Sequence, residues 1–357
     1  MSRPKAYFIN GGAGRVICSI PAFEKLAETD DDFIIVCEGG TDFFKGHPIL
    51  HSRVYDNWHK GLFEQHIKHR DIVTPEPYRV WEYYNQKCSL TQAFDIAINN
   101  KGIRELPAPK VVLNQLEMVS GFNVVQEVKA KTGFDKVLVV QPFGRGVQNL
   151  GEFVVDPSAR SFHLNNIVEI INELKKEYAV ILMSEFPISL EEKDDGKYHV
   201  AMPQIPDARI WAGVIDVADH FLGCDSLGQH IARALGKTAT VIAGSTYPIN
   251  ISYPRHPDFD IIDLGEKDRR YGPIRISMED EIDRANDEIM EMSKEEIQKV
   301  LASVRKRLGK STKFKGNYVA PQQPAACCSP SEQAPSQPAA PMFSTAGGVL
   351  KPVGTQQ

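Results

Sequence analysis

The 357-residue chain lacks a long apolar run, a cysteine pair spaced for metal binding and an excess of positive charge. No segment approaches the ~18 apolar residues of a membrane span, and the N-terminal segment is too poor in apolar residues for a signal peptide. The net charge of −5 disfavours a globally basic nucleic-acid binder, although a local basic patch is compatible with it. We therefore expect a soluble, cytoplasmic protein with at most peripheral membrane contact.

Cysteine is scarce, and its six positions fit no metal-binding spacing. Three of them, Cys18, Cys37 and Cys224, lie within or beside apolar runs. We expect buried, reduced thiols in a reducing compartment rather than a structural zinc site, which needs clustered Cys and His ligands.

Length and composition favour two domains. At about 100–200 residues per domain, 357 residues of which 42% are hydrophobic are enough for two cores. An apolar run at 7–9 is followed by a glycine-rich break at 10–14, an amphipathic stretch at 16–26 and a second apolar run at 33–37. This pattern predicts a strand, a glycine loop, a helix and a strand, and therefore parallel strands joined by a right-handed crossover.

The pattern restarts after a helix predicted over 112–131, which Gly133 ends. Strands and helices then alternate, which predicts a second doubly wound parallel sheet. The predicted strands are 136–140, 178–183, 220–222, 238–243 and 259–264, and the predicted helices are 164–174, 210–217 and 229–235. The fold class is α/β, with two Rossmann-like parallel sheets.

Three regions are expected along the chain: an N-terminal domain over 1–134, a second domain over 135–309 and a tail over 310–357. The second domain closes with a helix that a capping box at Ser293 and Glu296 starts. The tail is rich in Pro, Ala, Gln and Ser, and it cannot bury enough apolar surface to offset its ordering entropy. We expect it to be disordered.

Two segments carry candidate chemistry. The loop at 11–14 joins a strand to a helix, where glycine lets the backbone approach a phosphate and the helix N-terminus offers free N–H groups. A tight turn without a ligand would have the same sequence. The strand at 220–222 delivers Asp225 and Ser226 to its carboxyl end, where ligands bind in open α/β sheets. Asp225 can accept hydrogen bonds from sugar hydroxyls or cap the next helix, and Ser226 can hold a diphosphate.

These segments resemble glycosyltransferase family nine, the ADP-heptose:lipopolysaccharide heptosyltransferases. The family begins with a strand and G-x-x-G-D-V-x-x-x-x-P-A-[LF], and this chain has GGAGRVICSIPAF at 11–23. The family's second domain opens with H-P-G, which is QPFG at 141–144 here. Its donor signature D-[ST]-G-x-x-H-x-A-x-A-L-G-K-P is DSLGQHIARALGKT at 225–238, and its G-P-T loop is GST at 244–246. The likeness spans 5–308 and is densest over 210–246.

The resemblance implies the glycosyltransferase B fold, in which two Rossmann-like domains face each other across a cleft, the second binding a nucleotide-sugar. Asp225 would touch the donor sugar, and Arg160 would neutralise the departing diphosphate unless it is a solvated surface arginine. For His230, a packed, hydrogen-bonded histidine is the alternative to a donor contact. The full set of donor-side candidates is Gly12, Ala13, Gly14, Arg15, Gly144, Asp225, Ser226, Leu227, Gly228, His230 and Thr246.

One position departs from the family. Where the family has an aspartate that resembles a general base, this chain has Arg15, and arginine cannot accept a proton. Either another carboxylate activates the acceptor, or the reaction differs, or catalysis is lost. Glu38 is the candidate base because its strand end also opens on the cleft, and Asp42 is the second choice. An exposed turn residue is the alternative for Glu38.

The pair Asp258 and Asp260 fits the D-x-D pattern of metal-dependent glycosyltransferases. The B-type architecture, however, stabilises its leaving group with cations and helix ends. We therefore expect no metal and no cofactor besides the nucleotide-sugar co-substrate.

The sequence does not identify the acceptor, but the segment 56–70 mixes aromatic and basic side chains. Its candidate acceptor-side residues are His59, Lys60, Lys68 and Arg70. A polyanionic acceptor, either lipopolysaccharide core or phage DNA carrying hydroxymethylated bases, would suit them, and a solvated loop is the alternative.

Two other classes of protein compete with a glycosyltransferase. A non-catalytic nucleotide-sugar binder or scaffold is favoured by Arg15, and the donor signature argues against it. A sugar-nucleotide epimerase would need a second carboxylate that the expected loops lack. The sequence does not identify the donor sugar or the oligomeric state. It also leaves the stereochemistry open, although the resemblance suggests inversion.

Overall fold

The glycine loop near the N-terminus joins a strand to a helix, as the sequence predicts. The computed structural model describes residues 3–150, 154–190, 199–266, 269 and 288–316, all within one compact unit, Met1–Tyr318. The first sheet has the parallel order β3-β2-β1-β4, and helix α1 crosses from β1 to β2. Its elements are β1 Lys5–Ile9, α1 Ala13–Ala27, β2 Phe33–Cys37, β3 Val54–Asp56 and β4 Asp71–Val73.

Short helical elements follow the first sheet, and the sequence analysis missed them. They are α2 Trp81–Tyr84 and α3 Leu90–Asn99. Helix α3 begins at a capping box, in which Ser89 Oγ accepts from the Gln92 N–H and Gln92 Oε1 accepts from the Ser89 N–H. This S-x-x-Q signature is visible in the sequence and could have predicted the helix.

The second sheet has six parallel strands in the order β12-β11-β10-β5-β8-β9. Counted along the chain from β5, this is the 3-2-1-4-5-6 order of a Rossmann fold, and the first sheet has the initial 3-2-1-4 part of it. A separate antiparallel pair, β6 Gln148–Asn149 and β7 Val154–Val155, follows β5. The six strands are β5 Val137–Gln141, β8 Ala179–Leu182, β9 Val200–Ala201, β10 His220–Cys224, β11 Ala239–Ala243 and β12 Phe259–Asp263.

Six helices accompany the second sheet: α4 Gln115–Thr132, α5 Leu164–Leu174, α6 Ala208–Val217, α7 Leu227–Ala234, α8 Pro248–Ile251 and α9 Lys294–Leu308. The α/β class with two parallel, Rossmann-like sheets is confirmed. The predicted domain boundary near residue 134 stays a prediction, and α4, which precedes it, packs mainly against α6.

Helices α4 and α6 cross at two glycines. A Cβ on Gly121 would collide with the backbone of Gly213, so the two helix backbones touch. Beside the crossing, buried Arg209 and Glu117 form two hydrogen bonds, of 2.9 Å from Nε and 2.7 Å from Nη2. A buried ion pair at a close helix contact fixes how these helices pack.

One apolar core is shared by both sheets. It includes Phe23 of α1, Phe33 of β2, Val139 of β5 and Ile231 of α7. Separate cores fill the opposite face of each sheet, and α5 and α9 cover that of the second sheet. Because α1 and α7 meet in the shared core, the first turns of the helices that follow β1 and β10 come together.

Residues after α9 return to the start of the second sheet. Thr312 donates its N–H to Asp135 Oδ1 at 2.6 Å, and Ser311 Oγ donates to the same oxygen at 2.9 Å. The first residues of the predicted tail, up to 316, are therefore attached to the fold. The rest of that tail, 317–357, lies outside the described residues.

Four cysteines, Cys18, Cys37, Cys88 and Cys224, are free and buried. The burial of Cys18, Cys37 and Cys224 confirms the expectation for these positions, and burial raises the pKa of the Cys18, Cys37 and Cys88 thiols to about 12. Among the described residues, no helix is both long and apolar enough to cross a membrane.

Candidate functional site

The two predicted motifs lie at the switch points of the two sheets. The strand order reverses between β1 and β4 in the first sheet and between β5 and β10 in the second. Such a reversal opens a crevice at the carboxyl ends of the strands, where ligands of doubly wound folds bind. The glycine loop follows β1, and Asp225 follows β10.

The first turns of α1 and α7 are in contact. Helix α1 begins after Gly12 and α7 after Ser226, and neither residue caps its helix with a side-chain hydrogen bond. A Cβ on Gly14 would lie 3.1 Å from His230 Cδ2 and 4.0 Å from Leu227 Cα. Two helix N-termini, each with partial positive charge and free N–H groups, therefore meet where the crevices open.

Asp225 contacts Gln229, which the sequence analysis did not select, and two predicted site residues, Thr246 and Arg160. Its carboxylate is nearly buried, and Oδ1 accepts from Gln229 Nε2 at 2.7 Å. Its Oδ2 accepts from Thr246 Oγ1 at 3.0 Å and lies 3.9 Å from Arg160 Nη1. The N-cap of α7 is Ser226 rather than Asp225, so the capping alternative for Asp225 is not what the structure shows.

The loop that carries Arg160 wraps around the carboxylate of Asp156. Ser158 donates its N–H and Oγ to Asp156 Oδ1 at 2.9 and 2.5 Å, and Ser161 donates its N–H and Oγ to Oδ2 at 3.0 and 2.5 Å. Burial raises the pKa of Asp156, but these hydrogen bonds outweigh it and leave the pKa below its usual value. Ala159 has a left-handed φ of 49°, a conformation that proteins concentrate at functional loops. Arg160 is thus positioned by a hydrogen-bonded turn, with Nε 3.0 Å from Ser158 Oγ.

Gln141, the last residue of β5, engages the N-terminus of α7. Its Oε1 accepts from the Gly228 N–H at 2.8 Å, and its Nε2 donates to Ser226 Oγ at 3.2 Å. The Gly228 N–H, a candidate for donating a hydrogen bond to the diphosphate, is therefore already bonded to Gln141. The Leu227 N–H opens the helix and has no intrahelical acceptor. The N–H of Gly144 likewise donates to a side chain of the Asp156 loop.

Arg15 is engaged in an ion pair and two ring contacts. Its side chain is 11% exposed, and Nη2 lies 3.3 Å from Oε1 of Glu76, which follows β4. Its guanidinium carbon lies 4.9 Å from the centre of the Tyr78 ring and 5.7 Å from that of Phe94. The position that carries an aspartate in the resembled family is therefore filled by a cation that stands beside a carboxylate.

Glu38, which follows β2, contacts the glycine loop at 11–14. Its Oε2 accepts from the Gly11 N–H at 2.6 Å, and the side chain is otherwise exposed at the carboxyl edge of the first sheet. Asp42 instead pairs with Lys45 at 2.5 Å on the surface. Of the two candidate bases, Glu38 forms a hydrogen bond to the glycine loop, whereas the ion pair of Asp42 is with Lys45.

His230 is buried between the two helices. It is 5% exposed, its Nδ1 lies 2.8 Å from the Tyr253 hydroxyl, and Cys18 Sγ lies 3.4 Å from the same nitrogen. Burial lowers the pKa of this histidine to about 4, so the ring is neutral at pH 7. These contacts describe the packed, hydrogen-bonded histidine that was the alternative to a donor contact.

Comparisons with known proteins find similarity in structure only, since no protein-family model and no curated protein sequence matches the chain significantly. A family-nine glycosyltransferase of Veillonella parvula superimposes with a TM-score of 0.57 at 12% identity, over 85% of this chain and 98% of that one. ADP-heptose lipopolysaccharide heptosyltransferase II of Escherichia coli gives 0.55 at 12% identity, over 85% and 99%. The iron-containing dodecameric glycosyltransferase TibC of enterotoxigenic E. coli gives 0.54 at 10% identity, over 85% and 77%.

The chain has the family-nine glycosyltransferase fold. The resemblance seen in the sequence is thus confirmed at the level of fold, and with it the B-type arrangement of two Rossmann-like sheets.

Within this family-nine fold, the acceptor-side candidates do not form one patch. His59 and Lys60 follow β3 at the carboxyl edge of the first sheet and are exposed, and the His59 ring packs on that of Tyr55, with centroids 5.3 Å apart. Arg70 lies at the opposite edge, before β4, where Nη2 binds Asp32 at 2.6 Å. Lys68 pairs with a glutamate one turn earlier. Only His59 and Lys60 are placed near the switch-point edge.

The D-x-D aspartates serve packing contacts. Asp260 accepts from Arg307 Nη2 at 2.5 Å and from Ser303 Oγ at 3.0 Å, which joins β12 to α9. Asp258 lies 3.9 Å from His256. In the part of the chain that the structure describes, no three His, Cys, Asp or Glu side chains gather as metal ligands.

Four residues at this site were missed by the sequence analysis as functional positions. Gln141 was quoted only as a counterpart of the family's motif, and Asp156, Glu76 and Arg145 had no local signal at all. Their roles depend on contacts between segments far apart in the chain, and a single sequence does not record such contacts. Arg145 follows Gly144, and its guanidinium reaches Gly12.

Proposed function

We propose that the chain is a glycosyltransferase that moves a sugar from a nucleoside-diphosphate sugar to an acceptor hydroxyl. The observation that carries the proposal is the meeting of two helix N-termini, with Arg160 beside one of them, at the carboxyl edges of two parallel sheets. Helix N-termini and guanidinium groups are the groups that proteins use to bind phosphates.

Asp225 is proposed to bind the donor sugar, and Arg160 the diphosphate. The carboxylate already accepts two hydrogen bonds, which fix its orientation, and its remaining lone pairs can accept from sugar hydroxyls. Arg160 Nη1 lies 3.9 Å from it, so a diphosphate next to the sugar would meet a fixed cation. The Leu227 N–H, Ser226 Oγ and Thr246 complete the proposed donor site.

Glu38 is proposed as the base. The acceptor hydroxyl gives its proton to the carboxylate while its oxygen bonds to the anomeric carbon. The bond from that carbon to the diphosphate breaks, and the electron pair leaves on a diphosphate oxygen. Arg160 and the α7 N-terminus stabilise that developing charge, as preorganised cations and N–H groups do. This direct displacement inverts the anomeric centre, and because Arg160 and the α7 N-terminus supply the positive charge, we propose that it needs no metal.

The test is release of nucleoside diphosphate by the full chain from a panel of nucleotide-sugars, with water taking the place of the acceptor hydroxyl. ADP-heptose comes first, because the similar heptosyltransferase II of E. coli is named for it. Asp225→Asn should lower the release rate by roughly 10- to 100-fold, as expected for loss of a charge-assisted hydrogen bond. The matched control is Asp258→Asn, whose side chain is 44% exposed and lies before β12. Equal release by the Asp225 variant and the wild type would contradict the assignment.

A non-catalytic nucleotide-sugar binder is the second candidate function. The observation that favours it is Arg15, a cation tied to Glu76 at the position where the resembled family has its aspartate. Binding of nucleoside diphosphates without release of product from any donor would support this function over transfer.

A further inference from the structure

The backbone of Arg145 lies beside the proposed donor site. It follows Gly144, whose N–H donates to Ser161 Oγ at 2.9 Å. A Cβ on Gly144 would lie 3.9 Å from the carbonyl oxygen of Asp225. The backbone that carries the Arg145 side chain is therefore anchored beside Asp225, at the end of β5.

The Arg145 side chain crosses from the second sheet to the glycine loop of the first. A Cβ on Gly12 would lie 3.3 Å from Arg145 Nη1, and no other group lies within 4 Å of it. Gly12 itself has φ −87° and ψ 171°, an extended conformation open to any residue. Glycine at position 12 thus leaves room for the Arg145 guanidinium, and the backbone conformation does not itself require it.

The charge of Arg145 has no partner within the described part of the chain. Arg15 pairs with Glu76, and Arg160 lies 3.9 Å from Asp225, but among the described residues no carboxylate oxygen lies within 4 Å of the exposed Arg145 guanidinium. The cation also stands at the N-cap of α1, where the helix dipole is itself positive. Two positive groups this close repel each other, and an anion between them reduces that repulsion. The Glu38 carboxylate already accepts from the Gly11 N–H beside them.

We propose that Arg145 binds the donor diphosphate and joins it to the Gly12 loop, so that donor binding links the two sheets. The proposal rests on the proposed function and adds a residue to it. A guanidinium can donate two parallel hydrogen bonds to phosphate oxygens, which an ammonium cannot do. The same anion would offset the repulsion between Arg145 and the N-terminus of α1.

The experiment is calorimetric titration of the full chain with ADP, GDP, UDP and CDP, followed by AMP and adenosine or their counterparts for the base that binds. Arg145→Ala should weaken diphosphate binding by roughly 10- to 100-fold and leave the nucleoside unaffected, and Arg145→Lys should restore only part of it. The control Arg255→Ala removes an exposed arginine before β12, at the amino edge of the second sheet, and should change nothing.

A second variant, Gly12→Ala, tests the position of the Arg145 guanidinium without removing its charge. Gly12→Ala should weaken diphosphate binding in the wild type, because its Cβ displaces the guanidinium, but should have no further effect when Arg145 is already Ala. If the wild type binds a diphosphate and Arg145→Ala binds it equally, the Arg145 proposal is wrong and the proposed function stands. If the wild type binds none of the four diphosphates, the Arg145 proposal and the proposed function are both wrong.

Discussion

Replacement of His230 by glutamine should make the protein less sensitive to acid. Burial lowers the pKa of His230 from 6.5 to about 4, and its Nδ1 lies 2.8 Å from the Tyr253 hydroxyl. Between these pH values the unfolded chain binds a proton at this histidine that the folded chain does not. Its contribution to stability is therefore complete above pH 6.5 and is lost as the pH falls toward 4. The free energy of unfolding changes by ~1.4 kcal/mol per pH unit between pH 6.5 and about 4, which sums to ~3 kcal/mol.

Urea denaturation of the full chain and of His230→Gln measures this effect. At four pH values from about 7.5 to about 4.5, the wild-type free energy of unfolding should fall toward that of the variant. His220 is also buried, and its pKa is lowered to about 3, mainly by burial, but it is present in both proteins and cancels in the difference. A difference between wild type and variant that does not change with pH would refute the reasoning, because the histidine would then titrate alike in both states.

Two further predictions concern the contact between α4 and α6. Gly121→Ala should lower the free energy of unfolding by roughly 1–3 kcal/mol, because its Cβ would meet the backbone of Gly213, whereas the control Gly102→Ala meets no atom within 4 Å. Equal thermal unfolding of the two variants would contradict the close crossing. Arg209→Leu should cost ~3–5 kcal/mol in urea denaturation by leaving Glu117 buried and unpaired, and adding Glu117→Gln should recover part of that loss. No recovery in the double variant would show that the ion pair is not the cause.

The long elements of the fold were predictable because their apolar patterns are local. The strands at 5–9, 33–37 and 137–141 and the helices at 164–174 and 294–308 lie within a few residues of their predicted bounds. The three-residue strands β3 and β4 were missed, because so short a strand shows no periodicity and is stabilised only by its neighbours in the sheet.

The candidate site was only partly predictable. Asp225, Thr246 and Arg160 do come together, since each follows a strand or loop that the alternating pattern places at one edge of the second sheet. The engagement of the Gly228 N–H by Gln141 depends on a contact across 87 positions of the chain, which no local pattern records.

The glycine loop shows why a motif does not define a site by itself. Gly11 has φ 88°, so glycine is favoured there by the backbone. Gly12 leaves room for Arg145, and Gly14 leaves room for His230 of the facing helix. Three neighbouring glycines therefore serve three needs, and two of these are contacts with the second sheet. A loop selected only to approach a phosphate would not need these contacts. The loop is a junction between the two sheets, and an anion bound there would contact both.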